Sequence, residues 1–183
     1  EFVAAAKKAG SKWTMAGTGK GGEDELLTAF LNKTYDLKIK YVPFKGGGRV
    51  AKELAGKHAN STVNNPSEAL GFYESGDVVP IVTFTKERLP LFPDTPTMGE
   101  VGVPYSYFMQ RSVVGTPGMK DEAYAFYRDV FKKVYDSAEW QEYKTKKSLL
   151  GEFITGDDLV DYWKVNNERS EERRVGKECR SRW

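Results

Sequence analysis

Three short stretches concentrate residue types that could hold an anion: Gly17-Thr18-Gly19-Lys20-Gly21-Gly22, Lys45-Gly46-Gly47-Gly48-Arg49 and Asn64-Asn65-Pro66. Glycine lets a ligand approach the backbone N–H groups closely, and a helix that follows such a turn presents unpaired N–H donors with a partial positive charge. Lys20, Lys45 and Arg49 would add full positive charge, while Asn64 and Asn65 would add neutral donors and acceptors suited to fixing orientation. One glycine turn alone usually serves only to reverse the chain. Three in series, each at the end of a strand pattern and the start of a helix pattern, point to an anion site, because a parallel sheet gathers such junctions at one edge.

Gly17, Gly19 and Gly22 also satisfy the G-x-G-x-x-G spacing of dinucleotide folds. The following strand ends Tyr41-Val42-Pro43-Phe44-Lys45, without the acid that would hold a ribose hydroxyl, so a nucleotide-binding α/β enzyme using the Gly17–Gly22 loop stands as the second reading. A bare interaction domain with purely structural turns is the third. No G-x-x-x-x-G-K-[ST] string and no G-x-S-x-G elbow occurs. The single Cys179 and single His58 exclude a disulfide framework, multi-cysteine metal sites and histidine pairs. Asp157 and Asp158 sit where capping explains them better than catalysis. No catalytic residue, metal or cofactor is implied.

The elements that would position these junctions alternate. A first helix carries Phe2, Val3 and Ala6 on one face and stops at Gly10. Strands are expected at Trp13–Ala16, Leu37–Val42 and Ser61–Val63. Helices are expected over Glu23–Lys33, Gly48–Ala55 and Pro66–Glu74, the last announced by Asn65 as N-cap, Pro66 and Glu68. Val78–Thr85 reads as a buried strand with Pro80 at an edge or bend. Pro90, Pro93, Pro96 and Pro104 then break both periodicities, so 86–104 is expected to be a segment crossing between lobes. Beyond it come a strand near Tyr105–Val114, a long helix over Asp121–Tyr135, a shorter one over Ala138–Lys147, a strand at Glu152–Ile154 and a final helix from Thr155. Tyr124, Tyr127, Val130, Phe131 and Val134 would form the buried stripe of the long helix, and Leu159, Tyr162 and Trp163 would face inward from the last. Alternating strands and helices give an α/β fold with parallel-rich sheets.

Composition bounds the rest. The 183 residues, 39% apolar and 30% charged, suffice for one ordinary domain or two small lobes and hold too much apolar material for a disordered chain. No apolar run approaches the roughly 20 residues that cross a bilayer. Residues 168–183 carry six basic and four acidic side chains, which accounts for the entire net charge of +2 and leaves the remainder balanced. This stretch lacks hydrophobic periodicity, and Ser170–Trp183 resembles an adapter-derived sequence, so 168–183 is expected to be a non-native or disordered tail. Neither it nor the folded part carries a nucleic-acid footprint.

The strings Ala16-Gly-Thr-Gly, Tyr41-Val-Pro-Phe-Lys-Gly-Gly-Gly48, Asn64-Asn-Pro-Ser-Glu-Ala-Leu70, Leu91-Phe-Pro-Asp-Thr-Pro-Thr97 and Gly115-Thr-Pro-Gly118 resemble, in order and spacing, the substrate-binding receptors of tripartite tricarboxylate transporters, the Bug-type family. The resemblance covers about residues 1–167. It implies a type II periplasmic binding protein-like fold in which two α/β lobes close on a carboxylated metabolite. Residues 1–85 would be the second lobe, and 105–167 would complete the first, which is incomplete here. The chain opens inside a helix pattern without an initiating Met, as a piece cut from a longer protein would; Tyr105–Val165 would then expose apolar surface. By this resemblance Thr18 and the amides of Gly19, Lys20, Gly21 and Gly22 would grip one carboxylate. Lys45, Gly46 and Gly47 would serve a second, with Lys20 or Arg49 neutralising it and Asn64, beside the cap Asn65, fixing orientation. A non-enzymatic periplasmic receptor is implied, a monomer that hands a di- or tricarboxylate to membrane transporter subunits. The lack of cysteine in residues 1–167 agrees with export. Lys20, Gly22 and Glu23–Glu25 replace the small hydroxylic residues common at this helix start in the family, so ligand preference does not transfer.

Overall fold

A computed structural model describes the backbone of residues 1–178 and the side chains of residues 1–167. The chain forms two compact units: unit 1 comprises Glu1–Ser112 with Lys146–Ser148, and unit 2 comprises Val113–Thr145 and the chain from Leu149 onward. Packing thus places the boundary at 112/113, and the proline-rich stretch 86–104 lies within unit 1, where Leu89, Phe92, Thr95, Thr97 and Met98 are buried.

Unit 1 runs α1 (Phe2–Ala9), a 3-10 turn (Gly10–Lys12), β1 (Thr14–Thr18), α2 (Glu23–Tyr35), β2 (Lys40–Phe44), α3 (Gly47–Ala55), β3 (Ser61–Thr62) and α4 (Pro66–Glu74). The strands form a parallel sheet in the order β2-β1-β3, with Thr14 opposite Lys40, Thr18 opposite Phe44 and Met15 opposite Ser61. Successive strand residues point to opposite faces. Met15 accordingly joins Ala6, Leu31, Leu37, Ile39 and Met98 in one core cluster, while Ala16 joins Val50 and Ala59 in another. Helices therefore cover both faces of β1, α1 and α2 on one side and α3 on the other, which fixes the helix starts around the carboxyl ends of the strands.

Local chemistry explains the helix ends. α1 stops at Gly10, at φ 57°, and α4 starts behind Asn65, whose N–H donates to Glu68 Oε2 at 3.1 Å with Pro66 in the first turn. Unit 2 consists of α5 (Asp121–Asp136), α6 (Ala138–Lys146, all but its last residue) and α7 (Gly156–Glu178). Gly156 N–H donates to Tyr124 Oη at 3.2 Å, and Tyr135 Oη donates to Gly151 O at 3.1 Å, tying the start of α7 and the chain before it to α5. The backbone of 168–178 continues α7, and the rest of the proposed tail lies outside the described residues.

Four expectations need correction. Val78–Thr85 is not a buried strand: Val79 and Ile81 are 76% and 51% exposed, and only Thr83 forms a bridge, to Thr97. Pro80 lacks a donor and no neighbouring strand offers a ladder among the described residues, so the β pattern goes unused. Tyr105–Val114 and Glu152–Ile154 are likewise outside any strand. The stripe of α5 is not buried: Tyr124, Tyr127, Val130, Phe131 and Val134 are each more than a third exposed, as surface without a covering layer must be. Leu159, Tyr162 and Trp163 are half-buried.

Candidate functional site

The three junctions meet at one rim of the unit 1 sheet. Gly19 N–H, in the first, donates to Phe44 O, at the entry to the second, at 3.1 Å; Asn64, in the third, donates through Nδ2 to Gly47 O, in the second, at 3.1 Å. Gly46 has φ 81°, a left-handed conformation that turns the chain from β2 into α3. Arg49 and Val50 N–H both return to Gly46 O, while the N–H groups of Gly47 and Gly48, in the first turn of α3, have no acceptor within the helix.

Carboxylates of the chain itself stand among these donors. Asp24, 8% exposed, accepts from Thr18 N–H at 2.7 Å and Thr18 Oγ1 at 2.8 Å through the same oxygen, Oδ2. Glu25 accepts from Gly21 N–H at 2.6 Å. The carboxylate of Glu68 lies against Gly47, in the space a side chain there would fill, and also accepts from Asn64 Nδ2 at 3.4 Å. Tyr41 braces the first junction by donating its hydroxyl to the carbonyls of Thr18 and Gly19 at 3.0 and 2.9 Å. Gly17 makes this packing possible, since a Cβ there would come within 2.6 Å of both Asp24 Cβ and the Tyr41 ring.

The electrostatics follow from the crowding. Burial raises the Asp24 pKa above the usual carboxylate value against the lowering effect of the Thr18 bonds, and nearby Glu23 and Glu68 add to the rise. Burial and the charges of Asp24, Glu25 and Glu23 push Tyr41 up to about 12. Arg49 pairs with Glu53, which His58 Nδ1 also meets at 2.9 Å, and both partners hold Glu53 below its ordinary value. Arg49 is therefore committed along α3, whereas Lys20 and Lys45 are exposed and enter no ion pair among the described residues. A cavity of about 640 Å³ opens in unit 1, walled mainly by apolar side chains such as Leu27, Leu31, Phe92 and Met98, and including Asp24 and Asn64.

The structure thus brings Thr18, Gly19, Lys20, Gly21, Gly22, Lys45, Gly46, Gly47, Asn64 and Asn65 to one rim and turns the Arg49 head group toward Glu53. Sequence reasoning missed Asp24, Tyr41 and the second role of Glu68. An acid in a first turn looks like a dipole partner, and nothing in spacing alone says that Asp24 folds back on Thr18. The close packing over Gly17 also leaves no room for a pyrophosphate to approach its backbone, which disfavours the dinucleotide reading.

The family model described as tripartite tricarboxylate transporter family receptor matches residues 1–171. The chain belongs to this family. It is 25% identical over 162 residues to the UPF0065 protein in the gbd 5' region of Cupriavidus necator, a match covering 88% of this chain and 49% of that protein, so the chain spans about half the length of that relative. An adipate-bound protein of R. palustris superposes with a TM-score of 0.86 at 19% identity over 94% of this chain and 58% of the other. The periplasmic binding protein BugD superposes at 0.71 with 17% identity over 97% and 60%. The fold is that of periplasmic binding proteins.

Proposed function

We propose that this chain is the part of an extracytoplasmic solute receptor that grips a small di- or tricarboxylate and presents it to membrane transporter subunits. The observation that carries this reading is the convergence of three glycine- or amide-rich strand-to-helix junctions on one sheet rim, with Lys20 and Lys45 in no ion pair among the described residues and Gly46 and Gly48 exposed at the start of α3. Membership of the receptor family supports it, as does the dicarboxylate held by the R. palustris protein. Gly46 and Gly48 amides with Lys45 would receive one carboxylate, Lys20 and the Gly22 amide would approach a second group, and Asn64 and Asn65 would set orientation. The receptor works as a periplasmic monomer without a cofactor and catalyses no reaction.

The test is a thermal-shift series on the full-length protein carrying this sequence, with citrate, dicarboxylates, amino acids, aromatic acids and dinucleotides. A specific acid at a hundred times its Kd should stabilise by about 2.7 kcal/mol. Stabilisation by dinucleotides alone would reject the receptor reading in favour of the nucleotide-binding alternative.

A further inference from the structure

Two acceptors in the wall of the unit 1 cavity have no donor among the described residues. Asp24 is more than nine-tenths buried, yet both of its bonds, from Thr18 N–H and Thr18 Oγ1, go to Oδ2, and Oδ1 accepts nothing among the described residues. Asn64 spends its Nδ2 on Gly47 O and Glu68 Oε2 and keeps a buried Oδ1 without a partner. Asn64 Oδ1, buried and unmatched, costs about 1–3 kcal/mol and calls for a donor from outside, while Asp24 Oδ1 keeps solvent contact and is free to accept one. Thr18 cannot supply a grip on an incoming acid at the same time, because Asp24 already occupies both of its donors.

We infer that Asp24 is a specificity-determining residue: it takes the place a ligand carboxylate would hold on Thr18 and turns the first junction into an acceptor for a hydroxyl or ammonium group borne by the ligand. This rests on the carboxylate-receptor reading and narrows it. The ligand class becomes a small acid that carries a hydrogen-bond donor beside its carboxylate, with the acid end at the open amides of Gly46 and Gly48 near Lys45 and the donor end at Asp24 Oδ1. Glu23 and Glu68, close enough to raise the Asp24 pKa, make the same corner more welcoming to an ammonium group than to a second carboxylate.

The test compares three acids with the same four-carbon skeleton, succinate, malate and aspartate, by calorimetric titration of the full-length protein and of its Asp24→Asn variant. The wild type is expected to bind malate or aspartate at least tenfold more tightly than succinate, the ammonium and hydroxyl arms telling the two donors apart. Asp24→Asn, which keeps the shape but removes the charge, should bring that ratio to within about threefold, a charge-assisted hydrogen bond being roughly twice as strong as a neutral one. Succinate binding tightest to the wild type overturns the inference while leaving the receptor reading intact. So does a variant that weakens all three acids by one common factor, as a purely structural residue would. If the variant does not fold, the wild-type ratio alone decides. Binding of none of these acids, nor of any other small carboxylate, overturns both readings together.

Discussion

Gly17→Ala should be among the costliest single-methyl additions in unit 1. The added Cβ would stand 2.6 Å from Asp24 Cβ, 2.6 Å from Tyr41 Cε2 and 2.7 Å from Tyr41 Oη. Neither neighbour is the loose end of a flexible chain: Asp24 Cβ is fixed by the first turn of α2, and the Tyr41 ring is fixed by two hydrogen bonds and by its place in β2. Overpacking of this kind costs about 1–3 kcal/mol. If the ring yields, its bonds to the Thr18 and Gly19 carbonyls go as well, at about 1 kcal/mol each. The sum is on the order of 3 kcal/mol, against the slight gain that Ala normally brings over Gly. Gly48→Ala is the control, because a Cβ there meets nothing within 4 Å and should stabilise α3 by about 0.5–1 kcal/mol. Native-state hydrogen exchange of the β1 amides reads unit 1 separately from unit 2 and is the appropriate assay. A double-mutant cycle with Tyr41→Leu should recover at least about 1 kcal/mol of the Gly17→Ala cost, since the ring would be gone. Equal stability of Gly17→Ala and wild type, or an identical cost in both backgrounds, would refute the packing argument.

Two further outcomes are expected. Because burial and the neighbouring acids raise the Tyr41 pKa to about 12 in the fold, above its ordinary 10.0, the unfolded chain loses this proton first, and stability should fall as pH rises through that window; urea midpoints of Tyr41→Phe should lack this component, and parallel curves for the two proteins would contradict it. The apolar face of α5, with Phe126 and Tyr127 at 63% and 51% exposure, should bind a hydrophobic dye in the 183-residue chain, and Phe126→Ser should lower the dye signal while changing stability by less than about 0.5 kcal/mol; no loss of signal would mean that the face is covered.

What the sequence made legible was what local chemistry decides. Glu23, Asp24 and Glu25 with the stripe of Leu26, Leu27, Phe30 and Leu31 marked α2, of which Leu27 and Leu31 are buried, and Asn65-Pro66 with Glu68 marked the start of α4 at the residue where it begins. β1 and β2 appeared within a few residues of their places because short apolar runs between glycine turns leave little choice. Features that depend on a partner were not legible. Val78–Thr85 has the composition of a buried strand, but a strand exists only against a ladder, and β propensity cannot supply one. The α5 pattern says which face is apolar, not whether anything lies on it. Asp24 is the sharpest case: its position in a helix's first turn is fully explained by the dipole, and the bonds to Thr18 add no periodicity that a sequence could display.

Depth below the surface accounts for much of the division of labour at the rim. A half-buried N–H such as that of Thr18 could not wait for a ligand without cost, and the chain answers it with Asp24; Gly47, buried at the start of α3, lies under Glu68. Gly46, Gly48, Lys20 and Lys45 are exposed, so water can satisfy their donors without a partner from the chain. Gly21 departs from this rule, being exposed yet bonded to Glu25, a contact that surface competition with water makes easy to exchange. The donors open to a ligand carboxylate therefore lie on the outer edge, around the second junction and at Lys20, while the deeper part of the first junction, at Asp24, offers acceptors. On the proposed reading, a ligand that fits both presents an acid at one end and a donor at the other, a demand set by burial and not by glycine spacing.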